Sequence, residues 1–318
     1  MGRVYKGLDT EIKTKVALKL IKPEIASDRE TIERFRNELK TTHDITHKNV
    51  CRMYDLNREG DTFFITMEYV SGGDLKRFIR RSKQLNIKTA VSIAKQVCEG
   101  LAEAHKLGTV HRDLSPNNIM IDNDGMVRVM DFGIACSFQT NNKTEPGVIV
   151  GTPAYMSPEQ AEAGKIDPSS DIYSLGVILF EMITGRLPFE GETALSMAVK
   201  HKSEEPSDPT DFNPNVSEDL SKLILKCLAK NKKDRYKNAE QPFGFHYFML
   251  TRAYIDKGMP EEAEEIGKKG KALGTTAWID SQLIFIYAKR GKREKAEKLL
   301  LSRISSSPVL IPTYPALF

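Results

Sequence analysis

Cysteine is sparse in this chain, and so are the features that would place it in a membrane. The four cysteines, Cys51, Cys98, Cys136 and Cys227, stand far apart with no C-x-x-C spacing. That points away from a zinc site or a disulfide framework and toward a reducing, cytoplasmic setting. The longest apolar stretch, Leu175 to Ile183, is broken by Glu181 and is roughly half of what a bilayer span requires. Met1-Gly2-Arg3-Val4 lacks the apolar run of a signal peptide, and Lys6 stands where a myristoylation motif needs Ser or Thr. A large excess of one charge is also missing, with 47 Lys+Arg against 43 Asp+Glu. The small surplus falls from Phe245 onward, where 12 basic residues face 8 acidic ones. Basicity this mild describes a solvated helical surface, so neither nucleic acid nor a membrane span is expected.

The first seventy residues carry strand signals around one helix. In Val16 to Ile21 a period of two puts Ala17 and Lys19 on one face, with Val16, Leu18 and Leu20 on the other. Ser27-Asp28-Arg29-Glu30 fits a capping box opening a helix whose inward stripe is Ile32, Phe35 and Leu39. Thr62 to Tyr69 is β-rich and runs into Ser71-Gly72-Gly73, a loop signal. From Asp74 the periodicity turns helical: Asn86 to Leu107 ends before Gly108, and Asp171 to Thr184, apolar nearly all round, reads as a buried central helix stopping at Gly185. Further helices are expected over Ala194–His201 and Glu218–Ala229.

Beyond Gln241 the character changes. Ala253-Tyr254, Gly258 and Ala263 recur 33 residues later as Tyr287, Gly291 and Ala296. A period near 34 with small residues where paired helices approach is the tetratricopeptide pattern.

The chemistry is carried by an ordered set: Val16-Ala17-Leu18-Lys19, then His111-Arg112-Asp113-Leu114 with Asn118, then Asp131-Phe132-Gly133, then Ser157-Pro158-Glu159. One such triplet arises by chance; the set in this order and spacing identifies Met1 to Gln241 as resembling the eukaryotic-like serine/threonine protein kinases of bacteria. The resemblance implies an α+β, two-lobed kinase fold, with a small β-rich lobe over 1–70 and a large helical lobe over 71–241. An all-α helical-repeat tail over 242–318 would follow. It implies ATP as co-substrate and Mg²⁺ as cofactor. Phosphoryl transfer needs positioning and charge neutralisation more than covalent chemistry. By resemblance, Lys19 holds the α- and β-phosphates and pairs with Glu38. Asp113 accepts or orients the proton of the substrate hydroxyl. Asn118 and Asp131 supply oxygen ligands to the metal.

The same likeness implies a nucleotide pocket built from Gly2, Val4 and Ala17, the gatekeeper Met67, the hinge residues Glu68 and Val70, and Asp74 near the ribose. Thr152 marks the serine/threonine type, and Thr144, ahead of Thr140 and Ser137, is the expected activation-loop phosphosite facing Arg112. Glu159 would pair with Arg235, and Asp171 would support the catalytic loop; these are structural roles. Three departures stand out. Only Gly2-Arg3-Val4-Tyr5 remains of the glycine-rich loop, as expected of a fragment or an internal start. Ser115 occupies the place of a lysine that contacts the γ-phosphate. The last helix of the large lobe is cut short at Pro242. The expected function is transfer of the ATP γ-phosphate to protein Ser/Thr hydroxyls in signalling, with the repeats recruiting protein partners. The alternative is a catalytically weak or silent scaffold.

Overall fold

The computed structural model describes residues 3–23, 29–132, 152–240, 251, 254–255, 258–272 and 276–306. The chain divides into two compact units, Met1–Ala239 and Glu240–Phe318.

The first unit opens with β1 (Val4–Leu8), β2 (Lys15–Leu20), α1 (Arg29–His43), β3 (Met53–Glu59) and β4 (Thr62–Glu68). The strands pair antiparallel in the order β1-β2-β4-β3. The alternation in β2 has the consequence a period of two demands: Ala17 and Lys19 are buried, while Val16, Leu18 and Leu20 are half-buried. Across the ladder Ala17 faces Met67 and Lys19 faces Ile65. Ala17, Met67 and Ile65 close a small core with Ile21, Ile32, Cys51, Met53 and Val70. The capping box expected at Ser27 lies outside the described residues.

A second sheet runs β5 (Gly72–Asp74), β6 (Ile119–Asp122), β7 (Val127–Val129). The sequence signals a loop at Gly72-Gly73, yet both residues pair with β6. Local propensity loses here to tertiary pairing. A Cβ on Gly72 would collide with the Ile121 carbonyl oxygen, so only glycine permits this approach.

Asp74 then caps α2 (Leu75–Ser82), its carboxylate accepting the Arg77 N–H at 2.7 Å, and Asn86 caps α3 (Ile87–Lys106) through the Thr89 N–H at 2.9 Å. α4 (Pro158–Ala161), α5 (Pro168–Thr184), α6 (Ala194–Ser203) and α7 (Glu218–Cys227) complete the large lobe. Every residue of α5 from Ser169 to Thr184 is buried. It starts three residues ahead of Asp171 because the Asp167 carboxylate caps it through the Ser169 N–H.

In the second unit α8 (Pro260–Ala272), α9 (Thr276–Lys289) and α10 (Arg293–Ser306) pack around Ala263, Leu283, Ile286, Tyr287 and Ala296. Two turns in it are alike bond for bond. The Gly258 N–H donates to Ile255 O, Met259 to Tyr254 O and Ala263 to Met259 O; 33 residues on, Gly291 donates to Ala288 O, Lys292 to Tyr287 O and Ala296 to Lys292 O. Both glycines sit at positive φ, +72° and +68°, a region that side chains with a Cβ enter at a cost. Glu264 ties α8 to the second turn, with Arg290 at 2.6 Å, Lys292 at 3.0 Å and Lys268 at 2.7 Å.

Candidate active site

The segment from His111 to Asn118 is shaped by a buried carboxylate beneath it. Asp171, on α5, accepts the backbone N–H of His111 at 2.8 Å and of Arg112 at 3.0 Å, and a third bond from His105 Nε2 at 2.8 Å. Burial alone would raise the Asp171 pKa; the His105 bond, the histidine charges and the His111 N–H hold it below the usual carboxylate range. This clamp helps hold Arg112 at φ +69°, a left-handed conformation that costs a non-glycine residue about 1–2 kcal/mol. Asp131 is likewise left-handed at φ +60°. Such conformations persist where the surroundings over-determine them.

His111 links the two acidic positions. Its Nε2 lies 2.8 Å from Met130 O and its Nδ1 accepts the Asp113 N–H at 3.3 Å, which assigns the Nε2–H tautomer. The Phe132 ring packs on the imidazole with centroids 4.8 Å apart, and Met130 N–H donates to Asn118 O at 2.8 Å. Asp113 and Asp131 are thereby positioned by one short backbone frame.

Around that frame the charges converge. Asn118 Nδ2 donates to Asp113 O at 2.8 Å and to Asp113 Oδ2 at 3.2 Å, and the Thr152 backbone also hydrogen-bonds the carboxylate. Burial raises the Asp113 pKa above the usual carboxylate range, outweighing these bonds. Lys19 Nζ lies 2.6 Å from Asp131 Oδ2, both side chains largely buried. The Asn118 amide turns its nitrogen to Asp113, so its oxygen is not the atom engaged there. A neutral amide oxygen and a carboxylate are the donors a hard divalent cation such as Mg²⁺ takes.

The remaining positions singled out in the sequence are placed as follows. Ala17, Met67 and Val70 are buried in the small-lobe core. The Glu68 side chain pairs with Arg128 Nε at 2.9 Å, and its carbonyl has a long contact from Cys51 Sγ at 3.7 Å. The Asp74 carboxylate is engaged in capping α2. Val4 is exposed and sits opposite Lys19 in the β1–β2 ladder. Thr152 leads into the helical turn Pro153–Tyr155. Gly2, Ser137, Thr140 and Thr144 lie outside the described residues, as does the side chain of Glu38, although its backbone is in α1. Ser115 is buried, and its hydroxyl has no hydrogen-bond partner among the described residues.

Away from the cleft, Arg235 grips Glu159 in a bidentate pair at 2.8 and 2.9 Å. Its remaining N–H groups reach the carbonyls of Ala229 (2.6 Å), Ser169 (3.2 Å) and Lys230 (2.9 Å). Ser170 Oγ completes the Glu159 carboxylate at 2.6 Å. Sequence reasoning missed a second buried cluster. Tyr155 Oη donates to Glu181 Oε2 at 2.6 Å, and Lys76 Nζ reaches Glu181 Oε1 at 2.6 Å and Tyr155 Oη at 3.0 Å. It anchors the chain just after Thr152 to α2 and α5. The one clue in the sequence is Glu181 itself, an acid that interrupts the apolar run from Leu175 to Ile183.

The protein kinase domain family matches residues 1–248. Among curated proteins, serine/threonine-protein kinase PrkC of Bacillus subtilis is 41% identical over 240 residues, covering 76% of this chain and 37% of the relative. Serine/threonine-protein kinase PknA of Mycobacterium tuberculosis is 39% identical over 288 residues, covering 88% of this chain and 65% of the relative. The chain thus spans between about a third and two-thirds of the length of these curated relatives. The crystal structure of the Mycobacterium tuberculosis PknI kinase domain superposes with a TM-score of 0.62 at 23% identity, covering 76% of this chain and 89% of that one, a likeness of fold.

Proposed function

The chain belongs to the protein kinase family and carries a serine/threonine protein kinase domain; on that premise we propose that it transfers the γ-phosphate of ATP to Ser and Thr hydroxyls of proteins. The observation that carries the reading is the convergence of Lys19, Asp113, Asn118 and Asp131 on one cleft. Asp113 takes the proton of the attacking hydroxyl and holds the oxygen in line. Burial raises its pKa above that of an ordinary carboxylate, which makes it a better proton acceptor. Lys19 grips the phosphates, exchanging its contact with Asp131 for them. Asn118 and Asp131 would hold Mg²⁺, which would supply neutralisation of the phosphate charge. The buried aliphatic side chains of Ala17, Met67 and Val70 border the base.

The test is transfer of labelled phosphate from ATP by wild type beside Asp113→Asn and Asp131→Asn. Both variants should lose transfer, and Asp113→Asn should keep nucleotide binding. Transfer persisting in Asp131→Asn would remove the assignment.

A second reading, attenuated catalysis, is favoured by Ser115, whose buried hydroxyl has no partner among the described residues and supplies no positive charge to the site. Ser115→Lys raising the turnover number supports attenuation; unchanged turnover discards it. For the second unit we propose tetratricopeptide-like repeats that engage protein partners, supported by the bond-for-bond identity of the turns at Gly258 and Gly291.

A further inference from the structure

Away from the residues of phosphate transfer, the first unit has a groove of about 850 Å³ between α2, the start of α3 and the β5–β6 edge. Its floor is apolar, formed by the buried side chains of Leu85, Ile93 and Ile121. Phe78 stands on one wall, 39% exposed. Opposite it the wall is bare strand: a side chain at Gly73 would enter the space beside the Phe78 ring and the Arg77 stem.

The rim is cationic. Arg77 and Arg81, one turn apart on α2, and Lys88 on α3 are exposed, and none of the three has an acidic partner among the described residues. The one carboxylate in the lining, Asp122, is already engaged. Its Oδ1 accepts the N–H groups of Asp124 and Met126, and its Oδ2 accepts Arg128 Nη1 at 2.8 Å. Three uncompensated cations around an apolar trough with one aromatic wall match an extended acidic segment bearing a bulky apolar residue. A polynucleotide would find a single ring to stack on, and a lipid surface would find a trough instead of a protruding apolar edge.

We propose that this groove docks an acidic, apolar-anchored segment of the protein that the domain phosphorylates. The proposal rests on the kinase reading for the word phosphorylates, while the docking itself does not depend on catalysis. Lys19, Asp113, Asn118 and Asp131 do not line the groove, so a tethered substrate can occupy both places at once. The floor strand β6 begins at Ile119, directly after Asn118, so the groove is joined in the chain to the proposed catalytic segment. Docking would then act by effective concentration and lower KM without altering kcat.

The test uses the full chain and three labelled peptides read by fluorescence anisotropy at physiological salt. One carries Asp and Glu around a central Leu, one has Lys in place of the acids, and one has Ser in place of the Leu. The acidic Leu peptide should bind about tenfold tighter than the other two, a preference that falls as salt rises. Arg77→Gln, Arg81→Gln and Lys88→Gln together should abolish that preference while leaving the melting transition and phosphorylation of an untailed substrate peptide unchanged. Fusing the acidic segment to that substrate should lower KM for wild type and not for the triple variant. Equal binding by the triple variant overturns the proposal, as does tighter binding of a single-stranded oligonucleotide or of anionic vesicles. A chain that binds the acidic peptide through these residues but transfers no phosphate sinks the kinase reading and leaves the docking surface standing.

Discussion

Arg235→Met removes five N–H donors from a site that is 4% exposed and leaves the Glu159 carboxylate with Ser170 as its remaining side-chain partner among the described residues. Deleting one member of a buried ion pair costs about 3–5 kcal/mol, chiefly because the other charge is stranded. The carbonyls of Ala229, Ser169 and Lys230 lose their donor as well, which favours the upper half of that range. For a unit of this size, with roughly 2–4 °C per kcal/mol, the melting transition should drop by about 6–20 °C. Calorimetry on the full chain reads this in the transition of the first unit. The cause is isolated by Arg235→Met with Glu159→Leu: no stranded carboxylate remains, so the double variant should melt above Arg235→Met alone. The pH dependence carries the same signature. Burial pushes the Glu159 pKa up, but the bonds from Arg235 and Ser170 bring it below the ordinary value. Its contribution is therefore present above about pH 4.3 and lost as pH falls below that; Arg235→Met should flatten this loss. A drop of under about 2 °C, or a double variant no more stable than Arg235→Met, refutes the stranded-charge reasoning.

Asp113→Asn should lose activity yet melt no lower than wild type. Burial raises the folded pKa of Asp113, so ionisation at neutral pH weakens the fold, and removing the charge relieves that penalty; a clear fall in melting temperature contradicts this. For the same reason the acid limb of the kcat profile should lie above about pH 3.9, and a limb at or below that value argues against Asp113 as the proton acceptor. Gly72→Ala forces a Cβ into the Ile121 carbonyl and should cost roughly 2 kcal/mol or more, measured by urea titration; a neutral outcome would mean the β5–β6 pairing is looser than described. Glu264 is held down to about 2, first by the Lys268 hydrogen bond and then by Lys292, against the opposing effect of burial. Its contribution, about 1–2 kcal/mol after solvent screening, is present above about pH 4.3 and fades toward pH 2. Glu264→Gln should remove that acid sensitivity from amide exchange in α8 and α9, and an unchanged profile rejects the network as its source.

The elements whose periodicity is continuous were legible from the chain alone. β2, α3 and α5 follow from alternation in Val16–Leu20, from the stripe through Ile87, Val91, Ala94, Val97 or Cys98, and Leu101, and from the apolar run closed by Gly185; in α3 the buried face is turned so that Ala90 and Ile93 are buried and Ile87 and Val91 only half-buried. β5 was not, because Gly72-Gly73 has the composition of a turn and becomes strand only where β6 lies alongside. The spaced motif also named the positions that meet at the cleft. It could not supply the frame joining them, since the His111 bond to Met130 O and the backbone clamp by Asp171 involve main-chain atoms, which every residue carries alike. The Lys76–Tyr155–Glu181 cluster was silent for another reason: its members are 79 and 105 positions apart and belong to no shared motif.

The 2.6 Å contact between Lys19 and Asp131 has a consequence for the idle protein. A cleft that, on the proposed reading, receives phosphate charges and a divalent cation holds at rest a buried ammonium and a buried carboxylate with little water around them. Here each is the other's placeholder. On the proposed reading, arrival of nucleotide would be a change of partners for this pair, and departure would restore the original couple. Part of the intrinsic grip on ATP would be spent on that separation. Neutralising Lys19 would then remove two things at once: a contact to the phosphates, and the stand-in that holds Asp131 when none are there.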